Sequence, residues 1–193
     1  HRGASQYMPE NTASAFRLGI EQGANGIETD IRRTRDGILV LFHDGTLDRV
    51  TNGTGNICEY TYEELLKYDV YSPDKAHTDK IMTFDAFLKR FGHLELTFAV
   101  ELKQSGTEAE IIDMLEAYDM RRKTFLTSFD FENLKQAKKY APEYQVGFLT
   151  SAVDDGLLNK LSSIGGEQIC PNSGIVTPEN VGHWHAKGFS VRA

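Results

Sequence analysis

The sequence predicts an α/β fold, a (β/α)8 barrel of the TIM type with one small insertion. Short apolar, strand-like runs alternate with helical patterns over most of the chain, which is typical of a parallel sheet covered by helices. No glycine-rich dinucleotide fingerprint opens a predicted helix, which disfavours a doubly wound nucleotide-binding fold. With His1-Arg2-Gly3 counted as the end of a first strand, the chain has about seven or eight strands, close to the number in a closed barrel.

The first predicted helix lies near the start of the chain. Asn11 can cap it, and the apolar residues Ala15, Phe16 and Ile20 recur at helical spacing. Gly23 lies just past its last apolar position, where glycine commonly ends a helix. We therefore expect a helix between Asn11 and Gly23.

A β-hairpin follows this helix. Residues 26–34 read as a strand, Asp36-Gly37 as a tight turn, and residues 38–42 as an apolar run that leads to His43. The gap between the two strands is too short for a parallel crossover, so the strands should be antiparallel. With Asp36-Gly37 as a two-residue loop, Asp30 stands directly opposite His43. A one-residue slip would instead bury His43 among apolar side chains.

The alternation of strand-like and helical segments is interrupted over residues 45–82, where Gly, Asn, Asp, Thr and Ser are frequent. The clear helix of this region covers residues 61–68, with Thr61 and Glu64 placed as a capping box. We predict a single barrel domain over residues 1–193 that carries residues 45–82 as an inserted lobe of roughly 35 to 40 residues.

Strand and helix alternate again after the lobe. Strands are predicted at 96–103, 124–129, 145–150 and 168–171, and helices at 83–91, 107–118, 130–140, 157–164 and 177–188. Thr107 and Glu110 suggest a second capping box. A barrel of this type needs about 250 residues, and the chain has 193. We therefore predict that it is a fragment, truncated at both ends.

Composition and charge limit the classes of function. Hydrophobic residues make up 40% and charged residues 25% of the chain, an ordinary globular composition. A net charge of −7 argues against a nucleic-acid partner. No basic amphipathic segment suggests membrane attachment. We expect a cytoplasmic protein, with a secreted form as the alternative. Cys58 and Cys170 are far apart and signal neither a disulfide framework nor a zinc site. The oligomeric state stays open.

Three carboxylates form the predicted metal centre. Glu28 and Asp30 are separated by one residue on a predicted strand, so both side chains project from the same face. Glu101 and Lys103 repeat this spacing on another strand, and strand ends converge at the mouth of a barrel. Oxygen ligands without a nearby cysteine favour a hard cation, Mg²⁺ or Ca²⁺.

The charges around this centre suit a phosphodiester. Arg2, Lys103, a divalent metal, the three carboxylates and one phosphate anion sum to about zero. His1 and His43 add two groups that titrate near neutral pH, as acid–base chemistry on a phosphate ester requires. The other histidines receive no role, and Asp44 is explained by turn chemistry.

With these residues, the sequence resembles the glycerophosphodiester phosphodiesterase family. The resemblance rests on motifs that occur in order over nearly the whole chain: His1-Arg2-Gly3, Pro9-Glu10-Asn11-Thr12, Ala15-Phe16, Gly23-Ala24, Ile27-Glu28-Thr29-Asp30, Asp36-Gly37, His43-Asp44, Leu47-Asp48-Arg49, Val100-Glu101-Leu102-Lys103, Ser128-Phe129 and the region 171–191. It implies a (β/α)8 barrel with a small inserted lobe.

The resemblance also implies roles for single residues. It implies metal ligands at Glu28, Asp30 and Glu101, and paired catalytic histidines at His1 and His43. It further implies phosphate contacts from Arg2 and Lys103, and Phe129 is counted with the substrate-binding residues. The implied reaction is metal-dependent hydrolysis of a small-molecule glycerophosphodiester to glycerol 3-phosphate and an alcohol.

Several alternatives stay open at this stage. The substrate could be a lipid-type diester, as in a lysophospholipase D, and the head group is not fixed. A metal-dependent barrel lyase or isomerase also uses carboxylates at strand ends. A non-catalytic binding module is disfavoured because every candidate ligand and both histidines are present. The sequence does not assign which histidine is acid and which is base, nor whether water or a substrate hydroxyl attacks first.

Overall fold

A computed structural model describes residues 1–193 and gives the bounds of each element. The strands are β1 (Gly26–Arg33), β2 (Leu39–Leu41), β3 (Val70–Tyr71), β4 (Thr78–Asp79), β5 (Thr97–Leu102), β6 (Thr124–Ser128), β7 (Gln145–Thr150), β8 (Gln168–Pro171) and β9 (Ser190–Val191). The helices are α1 (Ala13–Glu21), α2 (Tyr62–Leu65), α3 (Phe84–Phe91), α4 (Glu108–Ala117), α5 (Phe131–Tyr140), α6 (Asp155–Ser163) and α7 (Pro178–Ala186).

The main sheet has seven strands in the order β2-β1-β5-β6-β7-β8-β9. β2 is antiparallel to β1, and every other neighbouring pair is parallel. The order follows the chain from β5 onward, and a helix precedes each new strand, as in a barrel. The sheet stays open because β2 and β9 do not pair. The α/β fold with a helix-covered parallel sheet is therefore confirmed, without a closed barrel.

The prediction that His1-Arg2-Gly3 end a strand is wrong. These residues form turns, with positive φ angles of 55° at Arg2 and 75° at Gly3. The chain passes so close to α1 that a Cβ at Gly3 would lie 2.5 Å from the carbonyl carbon of Ala15. Glycine is therefore required at this position.

The predicted register of the β1–β2 hairpin is wrong by one residue. Ile31 pairs with Leu41, and the amide of Phe42 donates to the carbonyl of Asp30 at 3.0 Å. The turn is wider than expected because the amide of Thr34 already pairs with the carbonyl of residue 38, at 2.9 Å. His43 is nevertheless not buried among apolar side chains, since β2 ends at Leu41 and the chain leaves the sheet there.

Residues 45–82 build a small structure against the hairpin. Its buried cluster contains Leu47, Ile57, Leu65, Val70 and Ile81, together with two hairpin residues. The predicted capping box at the start of α2 is present, with both of its hydrogen bonds. α2 itself is shorter than the predicted helix, because the chain turns into β3 soon after it.

The second capping box, at the start of α4, does not form. The Thr107 hydroxyl donates to the carbonyl of Gln104 at 2.7 Å instead of accepting from the helix. The carboxylate of Glu110 is taken by Arg33, whose Nη2 lies 2.6 Å away. The helix nevertheless begins where the sequence predicts it. In contrast, the side chains of Asp130 and Thr177 cap α5 and α7.

An aromatic cluster joins the sheet to its helices. Phe87 on α3 is fully buried, with ring centroids 5.1 Å from Phe16 on α1 and 6.0 Å from Phe98 on β5. Phe91 completes the contact between the two helices, 5.6 Å from Phe16. This cluster holds α1, and with it the loop at the start of the chain, against the sheet.

No helix combines the length and apolar character needed to cross a bilayer.

Removing the Phe87 ring is expected to destabilise the protein strongly. The F87A variant should lose ~3–5 kcal/mol of unfolding free energy, because the ring leaves a cavity among close-packed aromatic neighbours. F129A is the matched control, since Phe129 is 62% exposed, and should change stability by less than about 0.5 kcal/mol. Urea unfolding monitored by circular dichroism measures both. Equal stability of the two variants would contradict this description of the core.

Candidate metal centre and active site

Three carboxylates meet on the neighbouring parallel strands β1 and β5. Asp30 is directly paired with Glu101 in the register of these strands, and Glu28 lies two residues earlier on the same face as Asp30. One oxygen from each carboxylate lies within 4.8 Å of the others. The Asp30 side chain is 0% exposed. The predicted acidic cluster is thus present, and strand pairing is what brings its members together.

Two cations lie against the acidic cluster. The Nζ atom of Lys103, just past the end of β5, is 2.6 Å from Glu101 Oε1 and 3.2 Å from Asp30 Oδ1. On the other side, Arg2 Nε lies 3.3 Å from Asp30 Oδ2. The backbone amide of Arg2 also donates to Glu28, at 3.1 Å to its carbonyl and 3.0 Å to Oε2. These contacts anchor the start of the chain to β1.

Asn11 is a site residue that sequence reasoning misplaced. We expected it to cap α1, but Thr12 is the cap, and the buried Asn11 has a positive φ of 58°. Its Nδ2 donates to Asp30 Oδ2 at 2.7 Å, and its Oδ1 accepts from the Thr29 hydroxyl at 2.9 Å. Asn11 therefore orients Asp30. Asparagine tolerates the left-handed region better than most residues. In the sequence, only the family motif that contains Asn11 could have indicated that this residue belongs to the site.

The carboxylates differ in their ionisation because their partners differ. Burial, reinforced by the charge of Asp30, raises the pKa of Glu28 to about 7. Burial also raises the pKa of Glu101 to about 7, despite the nearby Lys103. For Asp30, burial acts in the same direction, but the charge of Lys103, the Asn11 hydrogen bond and the charge of Arg2 outweigh it and lower its pKa. Charge in the cluster is thus only partly neutralised by the protein.

A divalent cation fits this cluster. Asp30 Oδ1 is buried and makes no hydrogen bond of good geometry, which leaves an acceptor directed into the cluster. Three carboxylates and no cysteine or histidine within the cluster form a donor set suited to a hard cation such as Mg²⁺ or Ca²⁺. A cation there would also remove the repulsion that raises the pKa of Glu28.

The two histidines line one cavity beside the carboxylates. The cavity has a volume of about 720 Å³, and its wall includes His1, Arg2, His43 and Phe129. His1 is 70% exposed, with Nε2 3.8 Å from Glu28 Oε2. Phe129 lies at the rim, its ring centroid 5.8 Å from the Nζ atom of Lys103. The cavity can therefore admit a small ester between the histidines and the cluster.

His43 is fixed at both its backbone and its ring. The guanidinium of Arg32 donates twice to the His43 carbonyl, at 3.0 Å and 2.7 Å. The ring atom Nδ1 lies 2.5 Å from Asp44 Oδ1. Asp44 is therefore more than a turn residue, which corrects our interpretation of it. Hydrogen bonds from Arg49 and His43 lower the pKa of Asp44 to about 2, against the effect of its partial burial.

All eight predicted site residues thus lie around one cavity or its acidic floor: His1, Arg2, Glu28, Asp30, His43, Glu101, Lys103 and Phe129. Arg32, Asn11, Asp44 and Arg49 hold these side chains in place, although sequence reasoning gave none of them a role in the site. No periodic pattern distinguishes them, because Asn11 and Arg32 meet partners from other segments of the chain, while Asp44 and Arg49 lie in an irregular loop.

Fold and site together define an α/β protein of the barrel type with an acidic centre that is flanked by two histidines and two cationic side chains. The chain belongs to the glycerophosphoryl diester phosphodiesterase family, whose family model matches residues 1–193. The family that the sequence motifs indicated is thereby confirmed.

Relatives and solved structures agree with this assignment. A glycerophosphodiester phosphodiesterase of Caldanaerobacter subterraneus subsp. tengcongensis is 35% identical over 156 residues, which are 77% of this chain and 64% of that protein. Another, from Bacillus altitudinis, is 31% identical, with 100% of this chain and 82% of that protein covered. A phosphodiesterase structure from Oleispira antarctica, in complex with the product sn-glycerol-3-phosphate, is 27% identical with a TM-score of 0.88, covering 99% of this chain and 81% of that chain.

Metal binding is expected to strengthen as the pH rises through about 7. Glu28 and Glu101 have pKa values raised to about 7 and hold protons below that pH, which a cation must displace. Calorimetric titration with Mg²⁺ in buffers of different ionisation enthalpy should show protons released at about pH 6 and fewer at about pH 8. The E101Q variant should release fewer protons at the lower pH. Equal affinity and no proton release across this range would contradict the description of the cluster.

Proposed function

We propose that the protein hydrolyses glycerophosphodiesters to glycerol 3-phosphate and an alcohol, with a divalent metal as cofactor. The observation that carries the proposal is the placement of the acidic cluster and two histidines around one cavity. Family membership supports it. So does the Oleispira antarctica phosphodiesterase, whose structure holds sn-glycerol-3-phosphate.

In this proposal Glu28, Asp30 and Glu101 hold the metal, Mg²⁺ or Ca²⁺. A divalent ion held by these residues would supply positive charge near a phosphoryl oxygen, where negative charge develops during phosphodiester hydrolysis. Arg2 and Lys103 act beside it on the non-bridging oxygens of the phosphodiester. Both already lie against the carboxylates, with Arg2 Nε 3.3 Å from Asp30 Oδ2 and Lys103 Nζ 2.6 Å from Glu101 Oε1, and Arg2 also lines the cavity.

His1 and His43 are the acid and base of the proposed mechanism. Attack on phosphorus needs a group that removes a proton from the nucleophile, and departure of the alcohol needs a group that donates one. Histidine serves either purpose near neutral pH. Asp44 occupies Nδ1 of His43, so Nε2 is the atom left for proton transfer. The division of the two tasks between His1 and His43, and the identity of the first nucleophile, stay open.

The chemistry of the site favours a phosphodiesterase over a barrel lyase or isomerase. Two cations beside the carboxylates provide charge for a phosphate group, which a lyase or isomerase acting on an uncharged carbon skeleton would not require. A lipid-type diester is the second candidate substrate, because the exposed ring of Phe129 at the rim offers an apolar contact.

The inserted lobe as part of a single domain and a cytoplasmic location both stay predictions.

Activity assays on three substrates test the proposed function. We expect glycerophosphocholine and glycerophosphoethanolamine to be hydrolysed faster than a lysophospholipid, with release of glycerol 3-phosphate. A chelator should abolish the activity, and Mg²⁺ or Ca²⁺ should restore it. The H43N variant should lose about 100-fold or more in kcat, because proton transfer by a positioned side chain contributes this much.

The matched control for this assay is H185N, since His185 is exposed on α7 outside the cavity. Its kcat should equal that of the unchanged protein. Unchanged turnover in H43N, or full activity in the presence of the chelator, would overturn the proposed mechanism. Metal binding without hydrolysis of any of the three diesters would favour the lyase or isomerase instead.

A further inference from the structure

Arg49 connects two carboxylates on different segments of the chain. Toward Asp44, its Nε lies 2.6 Å from Oδ2 and its Nη2 3.1 Å from Oδ1. Toward Glu10, its Nη1 lies 2.9 Å from Oε2 and its Nη2 2.7 Å from Oε1. All three guanidinium nitrogens are therefore engaged by carboxylates. Arg49 is also absent from the wall of the 720 Å³ cavity.

The Asp44 side of this arrangement leads to His43. Asp44 receives the Arg49 fork on one side and faces His43 Nδ1 at 2.5 Å on the other. The hydrogen bonds from Arg49 keep Asp44 ionised down to a pKa of about 2. An ionised carboxylate can only accept, so neutral His43 must carry its proton on Nδ1 to make this contact. Nε2 then faces the reaction as an acceptor.

The Glu10 side leads to the phosphate-contacting arginine. Glu10 Oε1 accepts from Arg2 Nη1 at 3.2 Å, and Arg2 in turn lies against Asp30. Glu10 is mostly buried, with 14% of its side chain exposed. Arg49 is thus tied to the core of the site through Glu10, while its other edge holds Asp44. This second anchor fixes the direction of the guanidinium plane.

We propose that Arg49 is a positioning residue for His43: by fixing Asp44, it holds the imidazole in the Nδ1–H tautomer with Nε2 available in the cavity. The inference rests on the proposed function and extends it to a residue outside the cavity. An arginine is needed because its planar fork binds two carboxylates at once, which a lysine ammonium cannot reproduce. Since Arg49 belongs to the region 45–82, this region contributes directly to the acid–base chemistry.

The test compares R49K with R35K. Arg35 is a matched control because its guanidinium likewise connects two segments of the chain and does not line the cavity. It donates to Glu64 Oε2 at 2.9 Å and to the Glu59 carbonyl at 2.7 Å. In R49K we expect kcat to fall on the order of 10-fold with KM within about 2-fold, since loss of an orienting contact affects the reaction rather than binding. R35K should keep both constants.

Long-range ¹⁵N–¹H NMR of the His43 ring reports the tautomer of the neutral imidazole. If Arg49 only stabilised the fold, its substitution would leave this tautomer unchanged. In the unchanged protein and in R35K, neutral His43 should be found as the Nδ1–H tautomer. In R49K the Nε2–H tautomer should become populated. E10Q is a second variant, which removes one anchor of Arg49 and keeps its contact with Asp44. In E10Q the Nε2–H tautomer should become populated to a smaller extent than in R49K. Because Glu10 also contacts Arg2, the tautomer rather than the kinetic constants is the readout for this variant, and it keeps the test available if R49K does not fold.

The outcomes separate this inference from the proposed function. An increase in KM at unchanged kcat would mean that Arg49 contacts substrate, and an unchanged His43 tautomer in both variants would mean that its role is structural. Either result overturns the inference. The NMR measurement needs no substrate, so it tests the inference independently of turnover. If the unchanged protein hydrolysed no diester, the proposed function would fail instead.

Discussion

The burial of three carboxylates on two paired strands is the constraint on which the rest of the site depends. Asp30 and Glu101 are neighbours in the parallel register of β1 and β5, so their repulsion cannot be relieved without breaking the sheet. Burying like charges is costly unless cations or hydrogen bonds compensate. Lys103, Arg2 and Asn11 supply part of this compensation. The remainder is the negative charge that a bound divalent cation would compensate.

The same compensation ties distant parts of the chain into one site. The loop at the start of the chain is held to β1 by the amide of Arg2 and packed on α1 at Gly3. The region after the hairpin is tied to the same loop by Arg49, whose guanidinium binds Asp44 through one edge and Glu10 of the loop through the other. The groups that neutralise the carboxylates and those that orient the histidine therefore belong to one network. A change at one end is expected to be felt at the other.

The sequence allowed the α/β class, most element bounds and the placement of eight residues in the cavity wall or the acidic cluster beside it to be predicted. This succeeded because period-two spacing puts Glu28 and Asp30 on one face, and because parallel strands end at the same edge of the sheet. It failed where pairing depends on tertiary contacts. The one-residue shift opposite Asp30 arises from a wider turn, and the role of Asn11 from a backbone conformation that no pattern announces. The partners of Asp44, His43 and Arg49, are near it in the sequence, but they lie in an irregular loop where no regular spacing predicts the contacts.

The central claim is that the three carboxylates form one metal site. Anomalous diffraction from crystals soaked with Mn²⁺ tests it most directly, because the ion is located without reference to activity. We predict one peak at about 2.0–2.6 Å from an oxygen of each of Glu28, Asp30 and Glu101. A peak bound elsewhere in the cavity, or no peak at these side chains at saturating Mn²⁺, would contradict the account.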